Sequence, residues 1–156
     1  MIYPAANPKL ADAIIETVAG TANAVGLRHY VIAGTLLGWY RDDAYIPWDN
    51  DLDIGIYYES GKYEDFLARL ITIGFLTDIG DEWEGKHLWK YGILVDMVFL
   101  EPTSNGARFY EQPAVLRHAE YPYPTPSPIE DYLEWKYGLD WRVPKKKGEY
   151  EFQHGG

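Results

Sequence analysis

Asp49, Asp51 and Asp53 are spaced two apart within Trp48-Asp49-Asn50-Asp51-Leu52-Asp53-Ile54, and the spacing is that of one face of a β-strand. On such a strand the three acids project to one side, while Leu52, Ile54 and Ile56 project to the other as a core face. Like charges drawn together out of water repel, and a bound cation is the usual relief. Oxygen donors in a chain without cysteine select Mg2+ or Mn2+ over zinc. Upstream, Gly34-Thr35-Leu36-Leu37-Gly38 reads as a glycine-containing turn opening a helix. There the backbone can approach a ligand closely and the free N–H groups favour an anion. Thr35 can cap the helix or touch a phosphate oxygen. Together the two segments describe a phosphate held beside a metal ion, as in a metal-dependent transferase acting on a nucleotide-activated substrate. The plainer alternative is a solvated acidic edge strand.

The elements that must position these residues follow from periodicity. Asn7-Pro8 is an N-cap and first helical residue, Leu10, Ile14, Ile15, Val18, Ala22 and Val25 mark one helical face, and Gly26 ends the helix. His29 to Ala33 is a strand leading into the short helix through Leu36, Leu37 and Tyr40. The acidic strand spans 49–57, and a helix through Tyr63, Phe66, Leu67, Leu70 and Ile71 is stopped by Gly74. Residues 75–79 read as a strand, 80–82 as a turn, and 87–91 with 93–100 as a hairpin. The last strand is apolar on both faces, hence central, and Asp96 is its one charge. A buried carboxylate needs a cation, an arginine or a hydrogen-bond network. Metal ligation alongside the other acids is the expectation for Asp96, with an ion pair to Arg41 or Lys90 as the alternative. Residues 121–126 are an extended proline-rich connector, Ser127-Pro128-Ile129-Glu130 is a capping box, the closing helix spans 128–138, and a basic tail covers 141–147. With no repeat and no internal boundary, 1–156 reads as a single α/β domain.

Arg41 suits bidentate phosphate binding, and Arg142 is a weaker candidate. Lys90 and His87 lie on the hairpin leading to Asp96, where alternate residues can face the site, and Lys90 is a candidate substrate-binding residue, a surface position being the alternative for each. Trp48, beside the acids, is the aromatic expected to touch ligand by stacking or cation–π attraction. His29, His87, His118 and His154 show no zinc-ligand spacing.

Composition narrows the partners. A net charge of −10 and the single short basic run Lys145-Lys146-Lys147 oppose contact with a nucleic acid polymer. The N-terminal residues lack a secretory pattern and no run reaches membrane-spanning length, so the expectation is a cytoplasmic protein with no transmembrane segment.

Gly34-Thr-Leu-Leu-Gly38, Arg41 and Ile46-Pro-Trp-Asp-Asn-Asp-Leu-Asp-Ile54 resemble the signature of the LicD family, which includes the fukutin-related proteins and belongs to the nucleotidyltransferase fold superfamily. Tyr91-Gly-Ile-Leu-Val-Asp96 resembles the strand that supplies the superfamily's third metal-binding carboxylate. Asp131-Tyr-Leu-Glu-Trp-Lys-Tyr-Gly138 with Trp141-Arg142-Val-Pro144 resembles the family's closing helix and tail. The resemblance implies a small mixed sheet flanked by helices, with Asp51, Asp53 and Asp96 as catalytic metal-binding acids and Asp49 as a fourth ligand at the rim. Gly34, Thr35 and Arg41 would hold phosphate. It also implies a cytidine diphosphate alcohol such as CDP-choline as donor and a hydroxyl of a cell-surface glycan as acceptor. Two other readings remain: a true nucleotidyltransferase using a nucleoside triphosphate, and a noncatalytic nucleotide- or partner-binding module.

Overall fold

The structure, a computed structural model of the chain, describes residues 1–78, 86–146 and 148–149. The expected turn at 80–82 lies outside these residues. Among the described residues, four α-helices, α1 (Pro8–Val25), α2 (Ala33–Asp42), α3 (Lys62–Thr72) and α4 (Ile129–Tyr137), accompany a five-stranded mixed sheet and a separate two-stranded hairpin. The sheet strands are β1 (His29–Val31), β2 (Asp51–Ile56), β3 (Leu76–Thr77), β4 (His87–Lys90) and β5 (Ile93–Phe99), in the order β1-β2-β5-β4-β3. Only β2 and β5 run parallel.

α1 begins as its sequence dictates: the Asn7 side chain accepts from the Leu10 N–H, Pro8 occupies the first turn, and Gly26 closes the helix in the left-handed conformation. Its apolar face, Ile14, Ile15, Val18 and Ala22, is buried, and the helix lies against α3. Leu52, Ile54 and Ile56 of β2 join Val95 and Met97 of β5 and Leu88 of β4 in the core. The β4–β5 hairpin turns through Tyr91 and Gly92, both at positive φ, the geometry that matches the twist of antiparallel strands.

Two sequence expectations change. The proline-rich segment 121–126 is no bare connector: β7 (Tyr121–Thr125) pairs with β6 (Ala114–His118), and the hairpin packs beside β1. Prolines 122 and 124 alternate along this two-stranded edge, where a missing N–H is tolerated. The capping box at 127–130 does not form. Pro128 is itself the N-cap, so Glu130 falls one residue short of the box position and instead pairs with Arg142 at 2.7 Å.

Candidate active site

The parallel register of β2 and β5 sets Asp53 directly opposite Asp96, and the antiparallel register of β4 sets His87 opposite Asp96 in the same row. Partners opposite one another share a face, so this row carries Asp53, Asp96 and His87, and Asp51 follows on the same face. Asp49, Asp51 and Asp53 each offer an oxygen within 4.8 Å of the others. All four aspartates line one cavity of about 280 Å³, closed by Ala33, Gly34, Leu37, Ile46, Trp48, Asn50 and Tyr137. Asp53 is buried at its base, 9% exposed; Asp49, Asp51 and Asp96 are half-buried. Asp96 is thus less buried than a strand apolar on both faces implies: Ile93, Val95 and Met97 fill the core, while Leu94, Asp96 and Val98 face the half-open side.

The electrostatics are those of crowded acids. Burial, then the charges of Asp51, Asp49 and Asp96, push the Asp53 carboxyl well above the usual range, against a stabilising N–H from Thr35. Burial and the Asp49 charge push Asp51 up to about 7. Burial also raises Asp49, and burial with the Asp51 charge raises Asp96, opposed by His87, whose Nε2 lies 3.4 Å from Asp96. Oxygen donors at this spacing, strained by mutual repulsion and partly desolvated, fit a hard divalent cation.

Helix α2 serves the acids more than the sequence suggests. The chain turns into it at Ala33, at φ 51°, and not at a glycine; the Ala33 N–H donates to the Tyr132 hydroxyl at 3.1 Å. Thr35 is buried and neither caps the helix nor faces open space. Its N–H donates to Asp53 at 3.3 Å and its hydroxyl accepts from the Asp53 N–H at 2.9 Å, so the helix start is spent on holding the innermost acid. Gly34 has a packing reason to lack a side chain: a Cβ there would stand 2.4 Å from Asp49 Oδ2 and 3.4 Å from Asp53 Oδ2. The Gly34→Ala variant should therefore swing the Asp49 carboxylate aside and weaken divalent-cation affinity ~10-fold. The helix itself should gain up to ~1 kcal/mol from the better helix former. Calorimetric metal titration beside a thermal melt checks both signs, and unchanged metal affinity would refute the packing argument.

Trp48 lines the cavity, its indole N–H donating to the Lys145 carbonyl at 2.9 Å. That contact and the buried Trp141, 2% exposed, anchor the segment at two points, while Arg142, Val143, Pro144 and Lys146 stay exposed. Three expected ligand contacts point elsewhere. Arg41 binds Asp42 at 2.8 Å and the Trp141 carbonyl at 3.2 Å, tying α2 to the C-terminal segment outside the cavity lining. Lys90 sits at the turn end of its hairpin, opposite Ile93, and donates to the Ile73 carbonyl at 2.7 Å; the ion pairs proposed for Asp96 with Arg41 or Lys90 give way to His87. Arg142 is held by Glu130. Sequence reasoning missed two residues of α4. Tyr137 lines the cavity, and Lys136 is a buried ammonium lowered by burial and raised by the charge of Asp53. Their signal was the spacing Tyr132, Leu133, Lys136, Tyr137, which sets a lysine on the helix's apolar face.

This mixed sheet is the fold of nucleotidyltransferase-like proteins. It superposes on the crystal structure of an antigenic nucleotidyltransferase-like protein from Paracoccidioides brasiliensis with a TM-score of 0.53 at 13% identity, covering 80% of this chain and 63% of that one. Residues 26–111, more than half of the chain and including all four aspartates, match the family described as LicD/FKTN/FKRP, nucleotidyltransferase domain, and the chain belongs to that family. It is 25% identical to the human ribitol-5-phosphate transferase FKTN over 172 aligned positions, covering 92% of this chain and 35% of that protein. A shorter stretch of 67 residues, 43% of this chain, is 48% identical to the human ribitol 5-phosphate transferase FKRP and covers 14% of it. The chain thus spans about a third or less of the length of these curated relatives. Among the described residues no helix is long and apolar enough to cross a membrane.

Proposed function

We propose that the protein transfers a phosphorylated alcohol from a CDP-alcohol to a hydroxyl of a glycan. The observation that carries this reading is the row of Asp53 and Asp96 with Asp51 and Asp49 gathered around one cavity. Asp51, Asp53 and Asp96 would hold one or two Mg2+ or Mn2+ ions, with Asp49 a fourth donor at the rim. When bound, such an ion neutralises the charge of a diphosphate during in-line displacement. Thr35 fixes the Asp53 carboxylate by the reciprocal bonds described above, so the innermost donor is oriented before substrate arrives. Gly34 leaves room for the Asp49 carboxylate against the helix. Trp48 and Tyr137 add aromatic surface to the lining. One of the acids would take the proton of the attacking hydroxyl.

The names of the relatives favour ribitol 5-phosphate over phosphocholine as the group moved. The test incubates the protein with CDP-ribitol or CDP-choline, Mn2+ and a glycan panel, and weighs the products by mass spectrometry. Release of CMP with a phosphoalcohol adduct, larger from CDP-ribitol, is the expected result. A nucleotide-sized adduct formed from a triphosphate with release of pyrophosphate would replace this reading with a true nucleotidyltransferase, which needs the same acids.

A further inference from the structure

Beside the acid cavity lies a second, larger one of about 910 Å³, between α4 and the turn of 3-10 helix at Ala107–Tyr110. Tyr137 lines both cavities, so the two adjoin at this residue of α4. We propose that this groove seats a neutral oligosaccharide, the acceptor of the transfer reaction; the assignment rests on the transferase reading above.

Its chemistry selects such a ligand. Phe109 and Tyr137 are buried in the lining and Trp135 is half-buried. Gly106 leaves room for the tip of the indole, since a Cβ at that position would meet Trp135 Cη2 at 2.7 Å, and the Arg108 guanidinium lies 5.9 Å from the same ring. A positioned aromatic face offers apolar area to the C–H side of a sugar ring at little cost in side-chain freedom. Among the described residues, Asp131, Glu134, Asp140 and Glu149 stand around it with the cations Arg108 and Lys145. Those cations are already engaged: Arg108 lies 4.3 Å over the Phe109 ring, and Lys145 pairs with Asp140 at 2.8 Å. An excess of carboxylates repels a diphosphate, whereas carboxylate oxygens accept hydrogen bonds from hydroxyls. The exposed Asp131 and Glu134 are such acceptors. The volume is near the top of the ~300–1,000 Å³ range of small-molecule sites, room for more than one ring. Division of labour follows: the anionic donor belongs with metal at the four aspartates, the uncharged acceptor belongs in the groove, and the two meet at Tyr137.

The experiment reads sugar binding without donor or turnover. The full chain is applied to an array of neutral oligosaccharides, and the best-retained one is titrated calorimetrically into the parent, Trp135→Ala, Glu134→Gln and Asp51→Asn/Asp53→Asn proteins. Inorganic pyrophosphate with Mn2+ is titrated as the anionic probe. Sugar affinity should fall ~10-fold in each groove variant and stay unchanged in the acid variant, while pyrophosphate shows the reverse. Glu134 is exposed and Gln keeps its volume, so that variant speaks even if Trp135→Ala fails to fold. No retained oligosaccharide, parental affinity in Glu134→Gln, or loss of sugar binding in the acid variant each overturns the groove. Failure of phosphoalcohol transfer with sugar binding intact would overturn only the transferase reading.

Discussion

Asp96→Asn should lower transferase turnover at least ~100-fold and weaken divalent-cation binding to match, while the thermal midpoint stays within about 3 °C of the parent or rises. The substitution keeps the side chain's shape and removes one charge from a cluster in which Asp51 and Asp53 already repel it. Loss of that repulsion favours the metal-free fold, and the contact given up is the ion pair with His87 Nε2, 3.4 Å away, whose other ring nitrogen keeps Asp78 at 2.9 Å. The lost contact is half-exposed and contributes on the order of 1 kcal/mol or less. A catalytic carboxylate and a structural one therefore predict opposite patterns. Full turnover with a lowered midpoint would make Asp96 an anchor for His87 and remove it from the metal site.

The four acids should make metal-free protein less stable as pH rises from about 4 toward 8, and Mn2+ should restore stability most at the alkaline end. The effect is read as the difference between parent and Asp51→Asn/Asp53→Asn, because buried His29, lowered by burial, slopes the other way in both. The folded state raises the carboxyls of Asp49, Asp51, Asp53 and Asp96, Asp51 up to about 7. The folded chain thus holds protons that the unfolded chain gives up. That contribution is fully present below the unfolded carboxyl range near 4 and is lost as pH passes through the raised values. A cation needs the ionised acids, so its stabilisation grows over the same interval. Melts with chelator and with Mn2+ should differ by roughly 5 °C or more at pH 8 and by little at pH 5. In Asp51→Asn/Asp53→Asn both the slope and the metal response should flatten; an equal response in parent and variant would leave the cluster without a cation.

What could be read from the sequence and what could not divides along physical lines. The alternation of Asp49, Asp51 and Asp53 and the lone charge at Asp96 are local patterns, and the sheet brings all four to one cavity. The Asn7 cap and the β4–β5 hairpin are equally local. The chemistry of Thr35 and Arg41 suits a phosphate and that of Lys90 a substrate, yet each side chain is engaged by a partner distant in sequence, Asp53, the Trp141 carbonyl and the Ile73 carbonyl, with Asp42 also holding Arg41. The pairing of β7 was hidden because proline composition argues for a connector, whereas a two-stranded edge has room for it. Lys136 escaped because a lysine is by default assigned to solvent, and only the apolar spacing of its neighbours marks it as inward.

The opposition of Asp53 and Asp96 across parallel strands makes the site a matter of counting. Adding or deleting one residue within β2 after Asp51 would carry Asp53 to the core side and bring an isoleucine or leucine to the cavity, with every chemical group still present in the chain. Segment length between these acids is therefore as strict a requirement as their identity. Loops such as 101–105 carry no such register, so a change of length there leaves the row of acids intact.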